Sequence, residues 1–317
     1  MKMLYFANGD AMPILGLGTW KSDQGNVYNA VKTALRSGYR HIDCAPIYGN
    51  EVEVGNAIND SISEGVLTRD QLWVTSKLWN NAHAVKHVQP ALERTLADLH
   101  LDVLDLFLIH WPILIKPGLL YNKSGHDLLP LEQIPLSETW GAMERLVKKG
   151  MCKHIGVSNF SIAKMESLIE SSRIPPEMNQ VELHPYLRQK DLLDFCSAHN
   201  VHLTAYAPLG SSDRPDRLKT KHEPVLLHDR VVRKIAEKHG VSPAQVLIKW
   251  SIERNVAVIP KSVRPDRIKQ NFEATALALT DQDIAELNAL DKHRRYISGS
   301  FWAMEGSPYT INNIWDE

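Results

Sequence analysis

Four side chains in this 317-residue sequence could together deliver a proton to a developing oxyanion: Asp43, Tyr48, Lys77 and His110. A carbonyl that accepts hydride needs an acid for the emerging alkoxide, and a tyrosine hydroxyl can serve. Free tyrosine titrates near pH ~10, high for a donor at neutrality. A lysine ammonium about 4 Å away would attract the phenolate by roughly 4 kcal/mol at an effective dielectric near 20, before desolvation losses. The expectation is a Tyr48 pKa lowered by about two units. Asp43 would keep Lys77 charged and positioned, and His110 could hydrogen-bond a substrate oxygen. Singly, three of them have ordinary structural uses: Asp43 bracing a turn, Tyr48 as a loop aromatic, His110 as a satisfied core histidine. Lys77 resists such a reading, because an amine within LWVTSKLW is costly to bury without a partner.

The elements that must carry these residues recur along the chain. Short apolar strands are expected at 14–19, 39–44, 72–78, 103–110, 153–158, 178–183, 202–207 and 256–260. Several are nearly continuous in Leu, Ile and Val, as strands covered on both faces should be. Helical patterns lie between them. In 27–38, Val27, Ala30, Val31, Ala34 and Leu35 share one face and Gly38 stops the helix. Ser137 is the expected cap of the helix carrying Trp140, Met143, Leu146 and Val147. Eight strands alternating with helices predict an α/β fold, a parallel (β/α)8 TIM barrel, with an open doubly wound sheet as the alternative. Asp43, Lys77 and His110 then end three successive strands around the barrel mouth, with Tyr48 in the loop after Asp43. Long connections at 112–136 and 208–228 fall on the same C-terminal face, and a tail runs on from about Lys292.

Length and composition fit one barrel domain spanning residues 1–317, since such barrels take about 250 residues and tolerate insertions. A hydrophobic share of 44% supplies a core. A net charge of −1 argues against a nucleic-acid or membrane-surface partner. The opening MKMLYFANGD lacks a signal-peptide pattern, no apolar stretch reaches membrane-spanning length, and Cys44, Cys152 and Cys196 are widely spaced. The expected location is the cytoplasm. His83 and His87 could face one way on a helix, but HAVKH brings no further metal ligands and reads as a solvated face, so no metal is expected.

HIDCAPIYGNE (41–51), SKLW (76–79), LIHWP (108–112), GVSNF (156–160), NQVELHPY (179–186), IPKS (259–262) and RIKQN (267–271) occur here in one order. In these motifs, and from GLGTW (16–20) to the last helix, the chain resembles the aldo-keto reductase superfamily, with an aldehyde-reductase-like pattern around LGSSDRPD and EPVLL. The resemblance implies carbonyl reduction with Tyr48 as proton donor and Asp43, Lys77 and His110 completing a tetrad. It also implies an NADPH/NADP+ cofactor lying across the barrel mouth. No GxGxxG is present, so a Rossmann-type site is not supported.

By the same resemblance, Ser158, Asn159 and Gln180 hold the carboxamide, Tyr206 stacks on the nicotinamide, and Thr19, Trp20 and Asp43 lie beside it. Pro208, Leu209 and Ser211 belong to a loop that folds over the pyrophosphate, although Asp213, Asp216 and Glu223 offset its basic charge and an ordinary solvated loop reads similarly. Independently of family, Pro265 suits a first helical turn whose free amides attract anions, with Lys261, Ser262 and Arg267 beside it. The resemblance assigns this cluster, with Val263, to the 2′-phosphate, and Gln270 and Asn271 to the adenine. Arg264, where relatives commonly have Ser or Thr, and Gln270, where Glu is common, depart from the pattern.

Trp20, Trp79 and Trp111 each follow an expected strand end on the tetrad's face, and three such aromatics would make an apolar pocket. The resemblance places Trp20, Tyr48, Trp79, His110, Trp111, Phe301 and Trp302 in substrate binding, with a small-molecule carbonyl, first an aldehyde, as substrate, and a monomer as the default state. Two rival uses stay open at this point. Lys77 could be the Schiff-base amine of a barrel lyase, and the same fold could serve a noncatalytic NADPH-binding regulator.

Overall fold

The structure, a computed structural model, describes residues 1–23 and 25–317. Eight parallel strands form one curled sheet: β1 Leu17–Gly18, β2 His41–Asp43, β3 Trp73–Leu78, β4 Leu104–Ile109, β5 Cys152–Ser158, β6 Met178–Glu182, β7 His202–Tyr206 and β8 Ala257–Val258. Each pairs with the next in chain order. The first and last strands meet through a parallel bridge between Leu15 and Val258. The Val258 amide donates to the Ile14 carbonyl at 2.8 Å and the Gly16 amide to the Val258 carbonyl at 2.9 Å. The sheet therefore closes into a barrel and has no free edge. All eight expected strands are present, and β3 and β4 are buried along their whole length.

Helices α1 Asn26–Arg36, α2 Glu51–Ser63, α3 Val85–Leu99, α4 Leu136–Lys148, α5 Ile162–Ser171, α6 Lys190–Ala198, α7 Arg230–His239, α8 Pro243–Glu253, α9 Pro265–Glu273 and α10 Asp281–Asn288 surround the sheet, and α11 Ile311–Trp315 lies in the tail. In α1 the buried stripe holds the five residues that periodicity singles out, and Gly38 follows at φ 104°. Ser137 is not a cap. Pro135 precedes the first helical residue of α4, so Ser137 lies inside the first turn and no side chain caps the end. A proline sets the entry there instead, with its backbone extended at ψ 140°.

The two ends of the barrel differ. At the end where the strands begin, an N-terminal hairpin (Met3–Tyr5 with Ala11–Pro13) brings Phe6 against Trp73 and His154. At the other end, the 112–136 connection forms a small hairpin, Leu114–Ile115 with Leu128–Leu129. A second apolar cluster there unites Trp79, Trp111, Ile113 and Leu128 with Trp302, Tyr309 and Trp315 of the tail. Tyr309 fastens tail to hairpin: its hydroxyl accepts from the Leu114 amide at 2.8 Å and donates to the Leu129 carbonyl at 2.7 Å. Among the described residues, no helix is long and apolar enough to cross a membrane.

Gly156 of β5 packs tightly against its neighbours, Met178 of β6 and Leu108 of β4. A Cβ there would lie 2.5 Å from the Met178 carbonyl oxygen, a backbone atom that cannot move without shifting β6. Gly156→Ala should therefore destabilise the fold by about 1–3 kcal/mol, read as a lower urea midpoint at unchanged m-value. Gly141→Ala, in α4 with only the end of Arg145 nearby, should be neutral or stabilising by up to about 1 kcal/mol.

Candidate active site

The last residue of β2 and a residue near the end of β3 carry opposite charges into the barrel. Lys77 Nζ donates to Asp43 Oδ1 at 2.6 Å and to the Cys44 carbonyl at 2.8 Å. Both side chains are buried, with exposures of 0% and 3%. The second carboxylate oxygen accepts from Gln180 Nε2 at 2.7 Å. Burial alone would lower the Lys77 pKa, but the charge of Asp43 and its hydrogen bond outweigh this and hold it above the ordinary value. Lys77 is therefore an ammonium committed to Asp43. A Schiff base requires a free amine, so the lyase reading loses its nucleophile.

Tyr48 stands at the end of a short 3₁₀ turn, Pro46–Tyr48, with Lys77 Nζ 5.3 Å from its ring centre. His110 follows β4 and meets the Tyr48 ring edge-on at 5.9 Å. Burial, then the positive charge of Lys77, holds the His110 pKa well below normal, so the ring is neutral and can donate one hydrogen bond. The expected fall in the Tyr48 pKa does not occur. Burial pushes it up to about 12, and Lys77 offsets only part of that rise while Asp43 adds to it. Much of the ammonium's field is already spent on Asp43. The neutral phenol is therefore the favoured form of Tyr48 through the neutral range.

Beside this group, a hydrogen-bonded wall links groups from four strands, β4 to β7. Ser158 Oγ donates to the Gln180 carbonyl at 2.7 Å, and Asn159 Nδ2 donates to the His110 carbonyl at 2.9 Å. The Tyr206 hydroxyl donates to Asn159 Oδ1 at 2.7 Å. Asn159 has φ 66°, a left-handed conformation that Asn adopts more readily than most residues. Thr19 Oγ1 donates to the Asp43 carbonyl at 2.8 Å, tying β1 to the same corner.

One cavity of about 830 Å³ runs along this wall. At one end it is lined by Tyr48, His110, Trp20, Trp79, Trp111, Phe301 and Trp302. Asp43, Thr19, Ser158, Asn159, Gln180 and Tyr206 line its middle, and Pro208, Leu209, Ser211, Lys261, Ser262, Val263 and Arg267 line the rest. Lys77 lies behind the wall. Gln270 and Asn271 are not on it: Gln270 is exposed and Asn271 buried, a turn further along α9 than the residues that reach the cavity. Residues that sequence reasoning missed include Ile47, Tyr121, Asn122, Arg217, Ile297 and Met304. Tyr121 and Asn122 belong to the 112–136 connection, recognised as functional only as a whole, because an irregular loop has no period that singles out individual side chains.

The cationic end has further structure. The N-terminus of α9 opens at Pro265, and the Arg264 amide donates to Ser262 Oγ at 3.1 Å. Arg264 lines the cavity too and pairs with Asp266 at 2.7 Å on the exposed side. The 208–228 connection crosses to this end through Asp213, whose carboxylate lies 3.7 Å from Lys261 and 3.9 Å from Lys21. Within the loop Arg214 pairs with Glu223 and Lys219 with Asp216, and Glu223 also lies 3.6 Å from Arg294 of the tail. The loop is thus a strap over the cavity and not a plain solvated segment. Amide and hydroxyl groups at the neutral end and cations beside a helix N-terminus at the other suit an extended, anionic dinucleotide.

His83 is not solvated either. It precedes α3, is 1% exposed, and burial lowers its pKa to about 3. Among the described residues, no group of three or more His, Cys, Asp or Glu is placed to hold a metal ion.

A closed parallel barrel with a tyrosine, a lysine–aspartate pair and a neutral histidine at its mouth fits a carbonyl oxidoreductase of the barrel type. The chain belongs to the aldo/keto reductase family, whose profile matches residues 14–292. It is 53% identical to an aldo/keto reductase of Synechocystis sp. over 317 residues, covering 100% of this chain and 97% of the relative. It is 47% identical to aldo-keto reductase family 1 member A1 of Bos taurus and 46% identical to that of Homo sapiens, each over 291 residues, covering 91% of this chain and 89% of the relative.

The buried pair yields a stability prediction. Asp43→Leu leaves an ammonium unpaired in the core and should cost about 3–5 kcal/mol, whereas Asp43→Leu with Lys77→Met should cost less than Asp43→Leu alone. Urea unfolding of the two variants checks the order.

Proposed function

We propose that this protein is an NADPH-dependent reductase of aldehydes, with Tyr48 as the proton donor, acting as a single-domain, monomeric cytoplasmic enzyme. The observation that carries this reading is the continuity of one cavity, from the Tyr48–His110 end to the Lys261–Arg267 end. It offers an acid and a hydrogen-bond donor for a carbonyl oxygen and, further along, cations for a phosphorylated cofactor. When bound there, NADPH would supply the hydride. Ser158, Asn159 and Gln180 offer polar groups to its carboxamide and Tyr206 a ring face to its nicotinamide. Pro208, Leu209 and Ser211 would cover its pyrophosphate, and Lys261, Ser262, Val263 and Arg267 suit its 2′-phosphate. Gln270 and Asn271, three and four residues beyond Arg267 on α9, would lie near its adenine.

The residues of the chain then do the acid chemistry. His110 donates a hydrogen bond to the carbonyl oxygen and orients it. As negative charge gathers on that oxygen, Tyr48 transfers its hydroxyl proton to it, because an alkoxide is far more basic than a phenolate. The phenolate left behind faces the Lys77 ammonium, which is held charged by Asp43, and is reprotonated from solvent. The indole rings of Trp20, Trp79 and Trp111 exclude water, which strengthens each of these interactions.

Three outcomes test this. With a panel of small aldehydes, wild type should consume NADPH, and Tyr48→Phe should lose about 10²–10⁴-fold in kcat while binding NADPH unchanged. A wild type that binds NADPH but reduces none of the panel contradicts the proposal. The pH dependence has a definite sign: reduction uses the protonated tyrosine, so it holds through neutrality and falls only as pH approaches about 12. Alcohol oxidation uses the phenolate and should rise with pH over the same range. Finally, Lys261→Met with Arg267→Met should raise KM for NADPH by about tenfold or more, and KM for NADH far less, since NADH carries no 2′-phosphate.

A further inference from the structure

The tail contributes Ile297, Phe301 and Trp302 to the cavity wall, yet between Ser298 and Pro308 it has neither strand nor helix to hold it. Its placement depends on its two ends. At the root, Glu182 is the last residue of β6, on the same side of that strand as Gln180, and is wholly buried. A buried carboxylate is costly unless its oxygens are fully hydrogen-bonded. Here Oε1 accepts from the Tyr296 amide at 2.6 Å and from His184 Nε2 at 2.8 Å, and Oε2 accepts from the Ile297 amide at 2.7 Å. The Tyr186 carbonyl adds bonds from the Lys292 amide at 3.1 Å and the Arg294 amide at 2.9 Å. The exit of β6 therefore binds four amides of the tail root and aims the chain at the cavity.

The far end is held by a different element. Lys164 of α5 donates to the Asn313 carbonyl at 2.7 Å, the Ile314 carbonyl at 3.2 Å and Asp316 Oδ2 at 2.6 Å. It thereby caps the C-terminal end of α11 with a cation, as the free carbonyls and the helix dipole favour. From α11, Trp315 Nε1 donates back to the Ser298 carbonyl at 2.7 Å. The segment held between these anchors packs on the strand-end tryptophans, with Trp111 to Phe301 at 5.7 Å and Trp79 to Trp302 at 6.0 Å.

We propose that Glu182 and Lys164 are positioning residues for substrate selection: by fixing the tail at both ends they seat Phe301 and Trp302 over the carbonyl end of the cavity, favouring aldehydes bulky enough to touch that wall. The inference rests on the proposed aldehyde reduction. Lys164 lies on the outer side of α5 and lines no part of the cavity, so its substitution leaves the acid machinery and the cofactor end intact.

Steady-state kinetics of Lys164→Met with benzaldehyde and with propanal, together with amide exchange over 298–317, tests it. KM for benzaldehyde should rise about tenfold, the effect of losing a charge-assisted hydrogen bond. KM for propanal, kcat for propanal and NADPH affinity should stay within about twofold. Amide exchange over 298–309 should quicken, and Lys164→Arg should restore both readouts. Glu182→Gln should act in the same direction and more strongly; because that core change could prevent folding, Lys164→Met carries the test. An equal rise in KM for both aldehydes, or no change in either, overturns the proposal. If wild type reduces neither aldehyde, the functional reading fails, and exchange alone then decides the anchoring: unaltered exchange in Lys164→Met overturns it.

Discussion

Two opposite charges enclosed between β2 and β3 organise this molecule's mouth. Neither Asp43 nor Lys77 could be buried alone, and together they are tolerable because both carboxylate oxygens and two of the three ammonium protons are paired: one oxygen with Lys77, the other with Gln180, and a second ammonium proton with the Cys44 carbonyl. This requirement ties the end of β6 to the end of β2 across the barrel. From Gln180 the constraint passes through Ser158 and Asn159 to Tyr206 and to the His110 backbone. Groups from most of the strand ends are thus held in one arrangement by the cost of leaving a charge unsatisfied.

That arrangement also explains why Tyr48 behaves differently from an isolated tyrosine beside a lysine. Pairwise Coulomb attraction counts the ammonium alone, but here burial disfavours the phenolate more than Lys77 favours it, and Asp43 adds to the rise. The balance favours the neutral phenol. For carbonyl reduction this retains the proton until an oxygen more basic than phenolate appears next to it.

Much of the fold could be read from periodicity. The five apolar positions of α1 and the continuous apolar runs of β3 and β4 needed no tertiary information, since each pattern reports burial on one face or on both. Asp43, Lys77 and His110 were legible for a related reason: a strand end in a barrel points to one common place. Features without a period were not. Ser137 looked like a cap, but the proline before Leu136 sets the helix start. His83 looked like part of a polar face and is enclosed in the core. Tyr121, Asn122 and Met304 reach the cavity from irregular segments whose path depends on Tyr309, Trp79 and the tail.

Under the proposed function a hydride, not a lysine adduct, reaches the carbonyl carbon. Turnover of an aldehyde with NADPH carrying deuterium at both C4 positions, with and without borohydride trapping and followed by mass spectrometry of product and protein, tests this directly. The expected result is one deuterium on the carbinol carbon and no borohydride-trapped adduct on Lys77. Alcohol without that deuterium, or a trapped adduct at Lys77, would contradict it.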